Sequence, residues 1–186
     1  HHGLFWEDPV PVTGRFYARL QPLFASGMAL YSCHLPLDVH PEVGNNSTLC
    51  RLLALTPCES FAAFEGIDTG IVATTQTTRE ALRVGLDTIL QTSTRVIACG
   101  PDDVRRIGIV TGSGASHAGE AAARGCDSLI TGEGAHHAYF LAEEAGINVF
   151  LAGHYATETV GIKALQRHLT DHLNLDCVFI DHPTGL

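Results

Sequence analysis

Residues 107–151 carry the clearest fold signal of the chain: IGIVTGSGASHAGEAAARGCDSLITGEGAHHAYFLAEEAGINVFL. Short runs rich in β-branched residues alternate here with stretches of helical spacing. The predicted strands are Ile107–Val110, Ser128–Thr131 and Val149–Leu151, and the predicted helices are His117–Arg124 and His136–Ala145. This alternation is typical of a largely parallel sheet with helices packed on it.

The pattern extends beyond this stretch in both directions. A helix is predicted from about Thr157 to Leu173, and a last strand follows at Cys177–Ile180. Ahead of the stretch, Val96–Cys99 is predicted as a strand, and Thr78 is the expected N-cap of a helix that ends near Leu90. The C-terminal half is therefore the better defined part of the prediction.

The N-terminal half gives fewer signals. Apolar residues from Phe16 to Phe24 repeat with helical spacing before Gly27, where a helix is expected to end. Met28–Tyr31 is predicted as a buried strand that leads into a polar loop from His34 to Asn46. Thr56–Gly70 has no strong period and receives no assignment.

Size and composition permit a substantial core. The chain has 186 residues, 45% of them hydrophobic, which allows one domain or two small ones. A lobe boundary is predicted near Ile97–Asp103, so that an α/β fold would divide into residues 1–98 and 99–186. The six cysteines form no Cys-x-x-Cys pair and are predicted to be small buried residues.

The net charge of the chain argues against nucleic acid as a ligand. The formal net charge is −9, with 11 Lys and Arg against 20 Asp and Glu. Proteins that bind a phosphate backbone need a basic stripe, so nucleic acid is not expected as the main ligand. No apolar run approaches the roughly twenty residues that cross a bilayer, and no basic leader opens the chain. A cytoplasmic protein that does not insert into membranes is expected.

A histidine and a glutamate stand at the start of the last predicted helix. Residues 153–158 are GHYATE, so an apolar strand ends at Gly153 and delivers His154 into the turn before the helix. Glu158 follows four residues later, and both side chains can face one metal ion at the end of a strand. Alternatively, Thr157 caps the helix and Glu158 complements its dipole.

Two other segments offer metal ligands. In HLPLDVH, residues 34–40, Asp38 is either a ligand or a carboxylate that caps the loop. For His34 and His40, the alternative to a metal ligand is a hydrogen-bonded surface residue. The chain also begins with the pair His1-His2, which is either a pair of ligands or the remnant of a purification tag.

Two motifs that follow predicted strands have secondary roles. Thr111–Gly114, together with Ser116, is either a small anion-binding turn of backbone N–H groups or plain strand-to-helix geometry. Glu133 is predicted to orient a metal ligand or to carry a proton in catalysis. His136 and His137 are expected to be solvated.

Taken together, the motifs resemble the Nif-three-like family, whose members are named GTP cyclohydrolase I type 2 homologues. The motifs are His1-His2-Gly3 through Trp6, His34 to Asn46 ending in Gly44-Asn45-Asn46, and Gly153-His154 through Glu158 followed by Gly161. The resemblance continues through Thr111–Gly114, Thr131–Glu133 and Phe179–Asp181. It covers nearly the whole chain and favours genuine ligands over a tag at the first two histidines.

The resemblance implies a site for two divalent ions of zinc, iron or manganese, shared by two α/β lobes with largely parallel or mixed sheets flanked by helices. The implied ligands are His1, His2, Asp38, His154 and Glu158. By the same analogy Glu158 bridges the ions, with His1 and His154 nearer one ion and His2 and Asp38 nearer the other. The resemblance further implies a homohexameric ring and the short form of the family, without an inserted domain. Because members carry a segment ahead of the first motif, it also implies an incomplete N-terminus.

Functions of two classes are compatible with such a site. A pair of ions lowers the pKa of a bound water toward about 7, which is the basis of a metal-dependent hydrolase. Ring opening of GTP is implied by the family name alone, and phosphoester hydrolysis fits the same ions. The other class is a metal-binding protein without turnover, in metal handling or as a scaffold. The expected substrate is a small molecule, with a nucleotide as one candidate.

Overall fold

The computed structural model describes residues 1–4 and 10–184. The predicted continuation of the first motif through Phe5 and Trp6 lies outside these residues. The helices are α1 (Gly14–Ala25), α2 (Leu35–Asp38), α3 (Asn45–Leu52), α4 (Arg79–Leu90), α5 (Ala118–Ala123), α6 (Ala138–Ala145) and α7 (His154–Leu173). The strands are β1 (Thr56–Phe64), β2 (Ile67–Thr78), β3 (Arg95–Ala98), β4 (Asp103–Val110), β5 (Ser128–Thr131) and β6 (Asn148–Leu151).

The six strands form one mixed sheet in the order β1-β2-β4-β5-β6-β3. β4, β5 and β6 are parallel, whereas β1 with β2, β2 with β4, and β3 with β6 pair in antiparallel fashion. The predicted α/β class, with a mixed sheet flanked by helices, is therefore confirmed. Strands from both predicted lobes belong to this sheet, and the division at residues 98 and 99 stays a prediction.

Helices cover both faces of the sheet. Side chains of a strand alternate between the two faces, so apolar side chains on each face pack against helices. Ile107, Ile109 and Ile130 are fully buried in a cluster to which α3, α4 and α7 contribute. Val110 and Leu129 belong to a second cluster, with alanines of α5 and α6. The central strands are thus buried on both faces, as the continuous apolar runs predict.

The sequence signals for helix ends agree with the structure at several positions. The Thr78 hydroxyl accepts a hydrogen bond of 3.2 Å from the Ala81 N–H and so caps α4. α1 ends before Gly27, as expected. α7 begins at His154, three residues earlier than predicted. Among the described residues, no helix combines the length and the apolar character that crossing a bilayer requires.

Two strand predictions were wrong. Met28–Tyr31 has no regular secondary structure, and Tyr31 is 86% exposed. Cys177–Ile180 also lies outside any strand, with Ile180 82% exposed. Both segments are apolar enough for a buried strand, but neither is paired with the edge of the sheet. The segment predicted as a loop from His34 to Asn46 is wrong in part, because it contains α2 and the start of α3.

The unassigned segment Thr56–Gly70 belongs to a long hairpin of β1 and β2. The strands close at the pair Phe64 and Ile67, across a two-residue turn at positive φ. The pairing register shifts between Pro57 and Glu59, where β1 carries a bulge. This irregularity and the exposure of most of β1 remove the alternation by which strands are recognised.

The cysteine prediction holds for part of the set. Cys50 and Cys126 are buried, and burial raises the pKa of the Cys126 thiol to about 11. Cys58, predicted as buried, is exposed at the edge strand β1. Its thiol donates to the carbonyl oxygen of Val72 across the hairpin, at 3.2 Å.

Helices α3 and α7 approach each other closely at Gly161. A Cβ atom on Gly161 would lie 2.3 Å from Asn45 Oδ1 and 2.9 Å from Asn45 N. The Gly161 N–H donates to Asn45 Oδ1 at 3.0 Å. This contact fixes α7 against the N-terminus of α3. It is possible only because residue 161 is a glycine, which has no side chain.

We expect Gly161→Ala to lower the free energy of unfolding by about 1–3 kcal/mol, because the added methyl overpacks this contact. Urea denaturation followed by circular dichroism measures the change. The matched control is Gly85→Ala in α4, where a Cβ would meet nothing closer than 3.8 Å. The control should raise stability by about 0.5–1 kcal/mol. Equal stability of Gly161→Ala and its parent would contradict the described packing.

Candidate metal centre

The centre lies at the carboxyl ends of the parallel strands, the edge where open α/β sheets bind ligands. Thr111 follows β4, Glu133 lies two residues beyond β5, and His154 begins α7 shortly after β6. The predicted site residues of the C-terminal half therefore converge because of strand order rather than sequence proximity.

His154 and Glu158 lie on one face of α7, one helical turn apart. Their atoms Nε2 and Oε2 are 3.1 Å apart. On the other side of the ring, Nδ1 lies 2.9 Å from Glu133 Oε1. The bond to Glu158, together with that to Glu133, raises the pKa of His154 to about 9, although burial acts in the opposite direction. Glu133 is thus placed where it can orient the His154 ring, which is one of the two roles predicted for it.

Asp38 reaches the centre from the end of α2. Its Oδ1 accepts a hydrogen bond of 2.8 Å from Asn45 Nδ2. Since Asn45 Oδ1 also accepts from the Gly161 N–H, one buried amide holds Asp38 in place relative to α7. In the sequence, Asn45 is marked only as part of the Gly44-Asn45-Asn46 motif, and its role in holding Asp38 could not be predicted from that motif.

Asn46 ties the same segment to the sheet. Its Oδ1 accepts from the Thr111 N–H at 2.9 Å, and its Nδ2 donates to the carbonyl oxygens of Thr69 and Asp38. Asn46 is 2% exposed, so these bonds are formed away from water. The Gly44-Asn45-Asn46 motif therefore positions the Asp38 carboxylate.

His1 and His2 complete the cluster. His1 Nε2 lies 3.3 Å from Asp38 Oδ1, and His1 Nδ1 lies 3.9 Å from Glu158 Oε2. His2 Nε2 lies 3.1 Å from the same Glu158 oxygen. Burial lowers the pKa of His2, and the charge of Glu158 opposes this effect. The structure thus brings together all five predicted ligands.

The geometry groups the five side chains around Glu158. One group is His1, Asp38 and Glu158, and the other is His2, His154 and Glu158, with ligand atoms in each within 4.8 Å of one another. Glu158 is shared, as expected for a bridge. The predicted split differs, because it paired His1 with His154 and His2 with Asp38.

A sixth side chain, His34, joins the cluster. Together with His1 and His2 it forms a further group of candidate ligand atoms within 4.8 Å. Its Nε2 lies 4.0 Å from Asp38 Oδ2. The signal was the four-residue spacing to Asp38, which places both side chains on one side of the short helix α2. His40 instead accepts the N–H groups of Glu42 and Val43 through Nδ1.

The glycine-rich turn after β4 serves packing. The N–H groups of Thr111, Gly112 and Gly114 donate to the side chains of Asn46, Thr157 and Thr131. These donors already have partners, which favours plain geometry over an anion-binding turn. Gly112 has φ +70°, and a Cβ there would lie 2.2 Å from Glu158 Oε1. The turn therefore makes room for the shared carboxylate.

The remaining histidine prediction concerns the start of α6. His136 and His137 are exposed and lie outside the groups of candidate ligands found among residues 1–4 and 10–184. The His136 ring packs against Phe140 with a centroid separation of 5.8 Å. This agrees with the expectation that both are solvated.

The donor set fits divalent cations. Imidazole and carboxylate groups suit zinc, iron and manganese. His1 Nε2 is buried and has no hydrogen-bond partner, although it lies 3.3 Å from Asp38 Oδ1. A cavity of about 580 Å³ opens beside the cluster, with Ile162, Phe179 and Ile180 forming an apolar wall.

Comparisons with known proteins agree with this architecture. The family model described as Duf34/NIF3 (NGG1p interacting factor 3) matches residues 1–185. The GTP cyclohydrolase 1 type 2 homolog of Deinococcus radiodurans is 39% identical over 100% of this chain and 72% of the relative. That of Halobacterium salinarum is 43% identical over 100% of this chain and 75% of its own length.

The solved structure of protein ybgI superimposes with a TM-score of 0.92 and 35% sequence identity, covering 100% of this chain and 75% of that one. The similarity extends over the whole chain, including the three motifs that contribute to the cluster. The chain therefore belongs to the Duf34/NIF3 family.

Proposed function

We propose that the chain binds two divalent ions of zinc, iron or manganese through His1, His2, Asp38, His154 and Glu158. The observation that carries the proposal is the pair of three-residue groups that share Glu158. The unpartnered buried nitrogen of His1 supports it, because burying a polar atom without a partner costs free energy that a bound cation would offset. His34 is close enough to join the ligands of one ion.

The reaction that this centre supports best is hydrolysis. Divalent ions held by these residues would supply an activated water molecule as nucleophile at neutral pH. Around them, Glu133 holds the His154 ring in one orientation and Asn45 holds the Asp38 carboxylate, so the ligands are positioned before a substrate arrives. The relatives are named GTP cyclohydrolase 1 type 2 homolog, so GTP is a reasonable first substrate to test, alongside a phosphodiester.

Asp38→Ala should remove bound metal and, with it, turnover. We expect the metal-loaded parent to hold two ions per chain by inductively coupled plasma mass spectrometry, and Asp38→Ala to hold at most one. Hydrolysis of GTP and of bis(p-nitrophenyl) phosphate should fall by a factor of about 100 or more in Asp38→Ala.

The control is Asp171→Ala, an exposed carboxylate of α7 outside the cluster, which should keep both properties. A parent with two tightly held ions but no turnover of either substrate would support a metal-handling or scaffold role instead. A parent that holds no stoichiometric metal would refute the site itself.

Gly112→Ala should weaken metal binding although it replaces none of the proposed ligands. The new methyl would displace the Glu158 carboxylate, and the φ of +70° is strained for alanine. We expect loss of at least one ion per chain in metal analysis. The matched control is Gly119→Ala in α5, where a Cβ meets nothing within 4 Å. Full metal content in Gly112→Ala would show that Glu158 is not a shared ligand.

We also propose that the chain forms a homo-oligomer, the hexameric ring that the family resemblance implies. Exposed apolar side chains near α1 support an interface: Phe24 is 78% exposed, Met28 60% and Tyr31 86%. Apolar patches of this kind mark contact surfaces on monomers.

Native mass spectrometry should give a mass several times the 19.9 kDa of one chain. Tyr31→Glu should lower this mass because it places a charge in the apolar interface. Val84→Glu, on the exposed side of α4, is the control and should leave the mass of the assembly unchanged. A monomeric parent, or an assembly that tolerates the charge at residue 31, would contradict the proposed interface.

A further inference from the structure

A second cavity adjoins the candidate metal centre. It has a volume of about 640 Å³ and lies between the C-terminal end of α4, the start of β3 and one face of α7. Glu133, Tyr155 and Thr159 line both this cavity and the one beside the metal ligands. A molecule of moderate size that occupies the second cavity therefore reaches the centre past these three side chains.

The carboxylates that line the second cavity already have partners. Asp181 Oδ1 accepts a hydrogen bond of 2.6 Å from the Tyr155 hydroxyl, which in turn accepts from the His182 N–H. Glu133 is bonded to His154. Both carboxylates thus form hydrogen bonds within the protein.

The cations that line the cavity are not neutralised. Among the described residues, Arg95 and Lys163 have no carboxylate within 4.0 Å. The Lys163 ammonium lies 4.9 Å above the Phe179 ring, a contact that positions the charge without cancelling it. Side chains of Gln91, Thr92 and Ser93 add hydrogen-bond donors to the same wall.

The other cations of the described residues divide into two groups. Those paired with carboxylates are Arg79, Arg83, Arg105, Arg106 and Arg124. Those without a carboxylate of the described residues within 4.0 Å are Arg15, Arg19, Arg51 and Arg167. Arg95 and Lys163 are distinguished by lining one cavity together, and this shared position marks the cavity as a place for an external anion. A smaller cavity next to it, which Lys163 also lines, brings Arg167 to the same side of α7.

We propose that the second cavity binds the oxyanion group of a small-molecule substrate, a phosphate or a carboxylate, between Arg95 and Lys163. The remainder of the substrate extends past Tyr155 toward the metal ligands. The reaction that follows rests on the proposed hydrolase function, whereas the binding of the oxyanion requires only the two cations. Arginine and lysine are the side chains that bind such groups by charge-assisted hydrogen bonds.

The test uses the full chain freed of metal by chelation, so that anion binding is measured apart from the metal centre. Isothermal titration calorimetry with inorganic pyrophosphate and, separately, with malonate gives the affinity for each kind of oxyanion. Arg95→Gln and Lys163→Gln should each weaken binding of the preferred probe by about tenfold. Lys163→Arg, which keeps the charge, should retain binding. The control Arg105→Gln removes an exposed charge outside this cavity and should change affinity by less than about twofold.

The preferred probe identifies the chemical class of the group. Weak binding of both probes to the parent would overturn the inference, as would an equal loss in Arg95→Gln and Arg105→Gln. Metal analysis of the same variants separates the two proposals. Two ions per chain in a protein that binds neither probe would leave the metal centre standing and remove the oxyanion cavity. Anion binding in a protein that cannot be loaded with metal would leave the oxyanion cavity standing and remove the metal centre.

Discussion

Two buried amides, Asn45 and Asn46, determine where the candidate centre can form. Asn45 bonds both Asp38 and the backbone of α7, and Asn46 bonds β2 and the turn after β4. A buried amide left without partners costs several kcal/mol in the least favourable case, so all these segments must meet together or not at all. The sheet supplies the platform, but this pair of side chains makes the N-terminal ligands and the C-terminal ligands parts of one site.

The electrostatics of the cluster explain why it attracts positive charge. The Asp38 and Glu158 side chains are only 12% and 13% exposed, and both face imidazoles rather than lysine or arginine. Buried carboxylates are stable only beside a compensating charge. The raised pKa of His154 has the same cause, because a proton on its ring supplies a positive charge beside Glu158 and Glu133. A divalent cation bound at the proposed centre would therefore compete with a proton for this ring.

The sequence predicts the centre of the fold better than its margins. β4, β5 and β6 were recognisable because strands buried on both faces are continuous apolar runs, whereas the bulged, exposed β1 shows no regular period. Similar apolar runs at Met28–Tyr31 and Cys177–Ile180 stayed unpaired, and no local pattern reveals whether a partner strand is available. The motifs correctly named the side chains that meet. Their grouping around Glu158 and the bonds of Asn45 and Asn46, to residues as many as 116 positions away, depend on tertiary packing.

The edges of the sheet bear on how copies of the chain can associate. β1 forms one edge, and its bulge between Pro57 and Glu59 interrupts the row of backbone groups that another strand would need. β3 forms the other edge and has only four residues. Short or bulged borders of this kind resist the addition of foreign strands and hence fibrillar aggregation. The proposed homo-oligomer would therefore form through side-chain surfaces, which allow a closed assembly of limited size.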